Sequence, residues 1–130
     1  MKSAFTLLAI CAIVGCSYNR SAAAPNPSQL RAEDIERSPG ASIEELLAAR
    51  VPGLMLVKDA DGHTAIHIRG AAEGEPLFVV NGVPLGNSEN LAAINRYDIA
   101  SIEVLRDAGS TAMWGIRGAN GVILIRTKGS

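Results

Sequence analysis

The chain has 130 residues, and its 12 lysines and arginines nearly balance its 13 aspartates and glutamates, giving a formal net charge of −1. No basic face stands out, so we predict that nucleic acid is not a partner. The only two cysteines, Cys11 and Cys16, lie close to the N-terminus. The rest of the chain therefore has neither a disulfide framework nor a cysteine-based metal site.

The N-terminus has the pattern of a secretion signal. Lys2 precedes an apolar run over residues 4–15, which has the length of a signal-peptide core and falls short of the about 20 residues that span a bilayer. The run ends in Ile13-Val14-Gly15-Cys16, which resembles the lipobox of bacterial lipoproteins. We predict that residues 1–15 are a lipoprotein signal peptide and that Cys16 carries acyl chains such as palmitate. The alternative is an ordinary secretory signal with incidental cysteines.

Residues 16–41 have a different composition from the rest of the chain. They are rich in Ser, Asn, Ala and Pro, with the sequence AAAPNPS at residues 22–28, which favours an extended and poorly packed segment. We predict a flexible tether over residues 16–41, in which residues 30–37 form at most one or two helical turns. Ser17 follows the cysteine, and in the enterobacterial pattern this resembles an outer-membrane sorting signal.

A folded domain is predicted from Ser42 onward. Ser42 and Glu45 have the spacing of a capping box, and apolar residues at helical spacing follow until Pro52 and Gly53 end the helix. Alternating apolar residues and turn residues predict strands and short helices after that. The predicted strands are 54–58, 64–69, 76–80, 100–106 and 122–127, and the predicted short helices are 89–94 and 109–114. This order indicates an α+β fold with a small mixed sheet.

Several motifs that suggest chemistry have simpler explanations. His63 and His67 would lie about 13 Å apart in a strand, too far for one metal ion. Asp59 and Asp61 precede Gly62, but the glycine spacing of a calcium loop is missing, and a hairpin turn explains the pattern better. No arrangement of nucleophile, base and acid can be assembled from the sequence. We predict no metal, no cofactor and no enzymatic activity.

The segment from Glu75 to Lys128 is the most specific part of the chain, above all WGIRGANGVILI at residues 114–125. With the segment IEELLAARVPG at residues 43–53 and Ile68-Arg69-Gly70, it resembles the plug domain of TonB-dependent outer-membrane receptors of the SusC/RagA type. The resemblance implies a plug-like domain over residues 42–130, although Trp114 replaces a smaller aromatic residue. The sequence contains no barrel strands after Ser130 and no clear TonB box, so we expect a stand-alone plug.

The resemblance also implies a partner and the residues that contact it. In full-length receptors such a domain sits inside a β-barrel, and arginines in equivalent motifs either hold it there or brace the plug internally, an alternative that the sequence leaves open. The implied contact residues are Arg69, Gly70, Arg117, Gly118 and Asn120. Arginine suits this role because its planar fork pairs with carboxylates through two hydrogen bonds.

Two loops would face a ligand in a receptor, residues 70–75 and 83–89, although the sequence does not identify the ligand. We therefore expect a lipid-anchored plug domain at the outer membrane, facing the periplasm, which assists receptor-mediated uptake by binding a β-barrel receptor or a ligand. The alternative is a structural or scaffolding lipoprotein that has the plug fold without a transport role.

Overall fold

A computed structural model describes residues 26–71 and 74–129 of the protein. The strands of the main sheet are β1 (Gln29–Arg31), β4 (Leu77–Val80), β5 (Val83–Gly86), β6 (Ile99–Leu105) and β7 (Val122–Thr127), and a separate hairpin contains β2 (Leu54–Lys58) and β3 (Thr64–Ile68). The α-helices are α1 (Ala32–Glu36), α2 (Ile43–Arg50) and α3 (Ala108–Thr111), and 3-10 turns cover Ser88–Ala93, Arg96–Asp98 and Ala112–Gly118. The predicted α+β class is confirmed.

The main sheet is mixed, with the strand order β1-β6-β7-β4-β5. Strands β4 and β7 are parallel, whereas the other neighbours are antiparallel. The parallel pair lies at the centre, which agrees with the continuous apolar sequence VILI at the start of β7. Among the described residues, no helix has the length and apolar composition needed to cross a membrane.

Strand register separates the sheet into two faces. On the inner face Phe78 lies beside Ile123, and Val80 lies beside Ile125, which is paired with Ile102 across the next strand. These residues belong to or pack against the main core. Because successive side chains of a strand point to opposite faces, the residues between them form the outer face. The apolar residues of that face are Leu77, Val79, Leu105, Val122 and Leu124.

Helix α2 closes the inner face, and its start follows the sequence prediction. The Ser42 hydroxyl accepts a hydrogen bond from the Glu45 backbone N–H at 3.2 Å, and the Glu45 carboxylate accepts one from the Ser42 N–H at 3.0 Å. This reciprocal pair satisfies two donors that a helix start otherwise leaves free. The helix buries Ile43, Leu46 and Leu47 against the sheet and the β2–β3 hairpin.

The folded domain begins before Ser42, so the predicted extent of the tether was wrong for residues 26–41. Strand β1 pairs with β6 and α1 follows it, which buries Leu30 and Ile35 in the core. The Arg96 guanidinium donates to the Ile35 carbonyl at 2.7 Å, to the Ser38 carbonyl at 2.6 Å and to the Ala41 carbonyl. One half-buried side chain thereby fixes the connection between α1 and α2. Residues 16–25, together with the predicted signal peptide, lie outside the described residues.

A second correction concerns the predicted loop 83–89, the first part of which is strand β5. Asn81 and Gly82 form the two-residue turn between β4 and β5, with φ of 49° and 85°. Positive φ at both positions is the geometry that Asn-Gly sequences favour in tight hairpins. The turn is held to β7, because the Asn81 side chain donates to the Thr127 hydroxyl at 2.8 Å and accepts from the Thr127 N–H at 3.0 Å.

Candidate docking site

Arg69 directly follows strand β3, at a point where backbone hydrogen bonds hold the chain. Its backbone N–H donates to the Gly53 carbonyl at 2.8 Å, and the Ala71 N–H donates to the Ile68 carbonyl at 3.1 Å. Gly70 between them has a φ of 86°, a conformation that residues with a Cβ rarely adopt. The backbone is thus held in a tight turn, while the Arg69 side chain and Gly70 remain exposed.

Arg106 lies across Gly53 from Arg69, and the two arginines directly follow strands of different sheets. A Cβ atom at Gly53 would lie 3.1 Å from Arg106 Nη1 and 3.9 Å from Arg69 Cβ. Gly53 has a φ of 82° and therefore suits the turn as well as the close approach of the guanidinium. The two arginines line a cleft of about 180 Å³ together with Gly70 and Asn120. We call this cleft the arginine cleft.

Asn120 also lines the arginine cleft. Its side-chain amide packs so closely on Gly74 that a Cβ atom there would collide with Nδ2, and Gly74 has a φ of 139°. The Asn120 Oδ1 atom is buried, and no donor among the described residues lies within hydrogen-bonding distance of it. A buried acceptor without a donor is costly.

The arginine cleft carries positive charge that the described part of the chain does not neutralise. Ion pairs in this part involve Arg37, Arg50 and Lys128, and none involves Arg69 or Arg106. Asp107, the acid next to Arg106 in sequence, is engaged elsewhere: it accepts from the Ser110 N–H at 2.9 Å and from the Ser110 hydroxyl at 2.5 Å. These hydrogen bonds lower the pKa of Asp107 below its ordinary value and cap helix α3.

Arg117 lies in a different cleft. With Glu75, Leu77 and Asn87 it lines a cavity of about 250 Å³, and its side chain is exposed. In the same region the Glu75 carboxylate accepts from the Ser88 N–H at 3.0 Å and from the Ser88 hydroxyl at 2.7 Å. These bonds join the segments that precede β4 and follow β5, the two segments predicted to face a ligand.

Comparison with known proteins assigns this chain to a family. A family model described as "TonB-dependent Receptor Plug Domain" matches residues 20–122. The chain belongs to the TonB-dependent receptor plug family. The resemblance predicted from the sequence is therefore confirmed.

Individual relatives of the plug domain agree with this assignment. The TonB-dependent receptor P26 of Formosa agariphila is 39% identical over 108 residues, covering 78% of this chain. The TonB-dependent receptor SusC of Bacteroides thetaiotaomicron is 29% identical over 112 residues, covering 76%. The chain spans 11% of the length of each of these two relatives. Their names describe receptors and none names an enzyme.

Solved structures resemble the plug domain over the same portion of the chain. The RagAB peptide importer in its closed-closed state superposes with a TM-score of 0.62 at 31% identity, covering 77% of this chain and 12% of that chain. The siderophore receptor PirA from Acinetobacter baumannii superposes with a TM-score of 0.63 at 30% identity, covering 78% of this chain and 17% of that chain.

Gly118 belongs to the interior of the plug domain rather than to a contact surface. It is buried, and a Cβ atom there would lie 2.9 Å from the Thr111 carbonyl oxygen and 3.0 Å from Trp114 Cβ. The absence of a side chain lets the segment that precedes β7 pack against α3. Its role in the described structure is close packing, and the predicted contact of Gly118 with a partner stays a prediction.

Of the other predicted site residues, Arg69, Gly70 and Asn120 meet in the arginine cleft, and Arg117 lies in the separate cleft described above. Cys16 lies outside the described residues. The sequence analysis missed Arg106. A signal was present, because Arg106 directly follows the apolar strand residue Leu105 just as Arg69 follows Ile68.

Proposed function

We propose that this plug domain acts without enzymatic activity in TonB-dependent uptake, by docking onto the wall of a receptor β-barrel through the arginine cleft. The observation that carries the proposal is the juxtaposition of Arg69 and Arg106 around Gly53, with no acidic partner among the described residues. Carboxylates on a barrel wall would provide a countercharge.

Physical chemistry favours carboxylates as the groups that occupy this cleft. Two neighbouring guanidinium groups repel each other until an anion lies between them, and each guanidinium offers a planar pair of donors that fits one carboxylate. Docking would also remove water from the cleft. Truncating one partner of such a desolvated charge pair typically costs about 2–5 kcal/mol of binding free energy.

The proposal includes a lipid anchor at Cys16 that holds the domain on the periplasmic side of the outer membrane. Its support is the Ile13-Val14-Gly15-Cys16 pattern that ends the apolar N-terminal run. A single acyl chain binds membranes only marginally, whereas two or more give stable attachment. Anchoring would raise the concentration of the plug domain beside membrane-embedded barrels and so favour even a modest docking affinity.

Affinity purification tests both parts of the proposal. The tagged full chain is purified from outer membranes in mild detergent, and co-purifying proteins are identified by mass spectrometry. We expect a β-barrel receptor with the unchanged protein and its loss with the double variant Arg69→Ala/Arg106→Ala. The matched control is Arg37→Ala/Arg50→Ala, which removes the same charge from α2 and from the residue that follows α1 and should retain the barrel. The Cys16→Ala variant should lack the added mass of the acyl chains, and it should no longer be found in the membrane fraction.

Two further measurements make the result decisive. Thermal unfolding of the double variant should match that of the unchanged protein, because the exposed Arg69 and Arg106 side chains form no ion pair among the described residues. A lipidated protein that purifies without any barrel would contradict the docking proposal and favour the scaffolding role. Equal recovery of the barrel with both double variants would exclude the arginine cleft as the contact.

A further inference from the structure

Strand β2 is the exposed edge of the β2–β3 hairpin. The hairpin is a sheet of two strands, so within the described residues β2 has a neighbouring strand on one side and a free edge on the other. All its residues after Leu54 are exposed, and three of them are large and apolar, namely Met55, Leu56 and Val57. An exposed apolar strand at a sheet edge is a template on which another strand can pair.

The hydrogen bonds of the hairpin show which backbone groups of β2 point away from β3. At one end the Gly53 carbonyl accepts from the Arg69 N–H at 2.8 Å, and at the other the Asp59 N–H donates to the His63 carbonyl at 2.9 Å. Hydrogen-bonded and non-hydrogen-bonded pairs alternate along an antiparallel ladder, so every second residue from Gly53 bonds to β3. Leu56, at the centre of β2, belongs to the other set, and its N–H and C=O groups are directed out of the sheet.

A second copy of β2 fits this edge when the two strands run antiparallel about Leu56. Leu56 then lies opposite the Leu56 of the second copy, and the two residues exchange their outward N–H and C=O groups. Met55 of each copy lies opposite Val57 of the other, so the exposed apolar side chains pair with one another. Cross-strand pairs of this kind stabilise sheets. The contact is isologous, because a twofold axis makes both copies use the same surface.

The same register brings opposite charges together at both ends of the strand pair. Gly53 of one copy lies opposite Asp59 of the other, and residues that are directly opposite share a face of the sheet. On that face Arg106 Nη1 lies 3.1 Å from the position of a Gly53 Cβ atom. Asp59 is exposed and takes part in none of the ion pairs found in the described part of the chain. The neighbouring Lys58 points to the opposite face and so does not oppose the contact.

We propose that two copies of the plug domain pair through β2, with Asp59 of each copy bound to Arg106 of the other. The paired strands are short, so the buried area is small and the affinity in solution is low. Attachment of both copies to one membrane through the proposed anchor at Cys16 would raise their effective concentration and favour pairing. Self-pairing goes beyond docking to a barrel and uses Arg106 in a different contact, so one copy does not make both contacts at once.

Cysteine cross-linking of the full chain in intact cells tests the pairing. Leu56→Cys should form disulfide-linked dimers, because hydrogen-bonded antiparallel pairs have Cα atoms about 5.5 Å apart, within the about 4.4–6.8 Å that a disulfide spans. Arg50→Cys, on α2, is the matched control and should give only the background of the unchanged protein, which retains Cys16. The yield of dimer is measured on a non-reducing gel after mild oxidation.

Two different variants in one cell test the register. Met55→Cys and Val57→Cys, carried by copies with different tags, lie opposite each other and should cross-link more than either does with itself. Addition of Leu56→Pro to both copies removes the two central N–H donors and should lower this yield about tenfold. Proline is tolerated at a strand edge where the N–H faces away from the sheet. Leu56→Thr, which loses the same side chain but keeps the N–H, is the matched control and should lower the yield less.

The charged contact has its own matched pair of variants in the turn that follows β2. Asp59→Asn should lower the yield of Leu56→Cys dimers about threefold, as expected for loss of an exposed ion pair. Asp61→Asn removes the same charge from the same turn and should leave the yield unchanged. Equal effects of the two variants would contradict the contact between Asp59 and Arg106.

Two results would overturn the pairing itself. Dimer yields that are the same for Leu56→Cys and Arg50→Cys would mean that β2 is not a contact between copies. Cross-links from Leu56→Cys to a different protein alone would assign the edge to another partner. Leu56→Pro and Asp59→Asn leave Arg69 and Arg106 in place, so recovery of a barrel with these variants separates a failure of self-pairing from a failure of docking.

Discussion

The two faces of the five-stranded sheet consist of alternate residues of the same strands, yet they differ in how they are covered. The inner face, with Phe78, Ile102 and Ile123, lies under α2 and the β2–β3 hairpin within one continuous core. Among the described residues, the segment around Trp114 packs against the apolar residues of the outer face, which retains an open cleft. The inner face therefore holds the larger part of the described apolar core, whereas the outer face holds a smaller buried cluster beside an open cleft.

The largest expected effect comes from breaking the inner face. Phe78 is fully buried, so Phe78→Ala should lower the free energy of unfolding by about 3–5 kcal/mol. Leu124→Ala, on the outer face of the adjacent strand, should cost much less because its side chain is already half-exposed. Urea denaturation of the two variants checks this, and equal losses would contradict the difference between the faces.

The next effect concerns the segment that covers part of the outer face. Gly118→Ala places a methyl group 2.9 Å from the Thr111 carbonyl oxygen, and such overpacking typically costs about 1–3 kcal/mol. Gly40 offers a matched control for added volume, since nothing lies within 4 Å of a Cβ atom there. However, its φ of 88° adds backbone strain, so the comparison uses Gly109→Ala as a second control. A Cβ atom at Gly109 would lie at an ordinary distance of 3.4 Å from Asp107 Oδ1.

A smaller effect tests how the inner face is closed. Ser42→Ala removes the oxygen that accepts from the Glu45 N–H, and loss of such a helix cap costs about 1 kcal/mol. Ser42→Asp keeps an acceptor at the helix start and should restore most of the loss. The midpoints of chemical denaturation measure both changes. A Ser42→Ala variant as stable as the unchanged protein would show that α2 is held by packing alone.

The smallest effect is a pH dependence at the edge of the fold. Lys128 Nζ lies 2.9 Å from Glu36 Oε1, and this hydrogen bond and charge lower the pKa of Glu36 in the folded state. A depressed folded pKa stabilises the fold above the unfolded pKa, and that contribution is lost as the pH falls through the folded value. Carboxyl-carbon NMR titration should show the pKa of Glu36 rising in Lys128→Met. An unchanged value would mean that the ion pair is absent in solution.

Local patterns in the sequence were enough to predict the elements whose signals lie within a few residues. Strands β2 and β7 have the predicted bounds, and the capping box of α2 and the Asn81-Gly82 turn were confirmed. In each case the decisive groups are neighbours in the chain. The periodicity of apolar residues or the chemistry of a turn therefore reports the structure directly.

The missed elements depend on contacts that are distant in sequence. Strand β1 has three residues and forms only because β6 lies beside it, and the connection after α1 is fixed by Arg96, about sixty residues away. Strand β5 contains Pro84 and Gly86, which argue against a strand except at a sheet edge. The strand order places it at that edge.

The candidate site was predicted in part for the same reason. Arg69 follows a strand in a motif that the sequence makes visible, whereas Arg106 comes close to it only when the β2–β3 hairpin packs beside the end of β6. Gly118 lies in the same motif as Arg117, but its close packing against Thr111 is a property of the folded chain. The sequence motifs thus identified the region of the candidate site. They did not show which of their residues are exposed and which pack inside the domain.

The central claim is that the arginine cleft is the surface that meets a barrel, and site-specific photo-crosslinking in intact cells tests it most directly. Benzoylphenylalanine is introduced in separate experiments at Ala71 and at Ala119, which line the arginine cleft and leave both arginines in place, and, as the control, at Arg50 on α2. The account predicts cross-links from the first two positions to a β-barrel strand that carries acidic residues, and none from the third. Cross-links from Arg50 alone, or from no position while the barrel co-purifies, would contradict it.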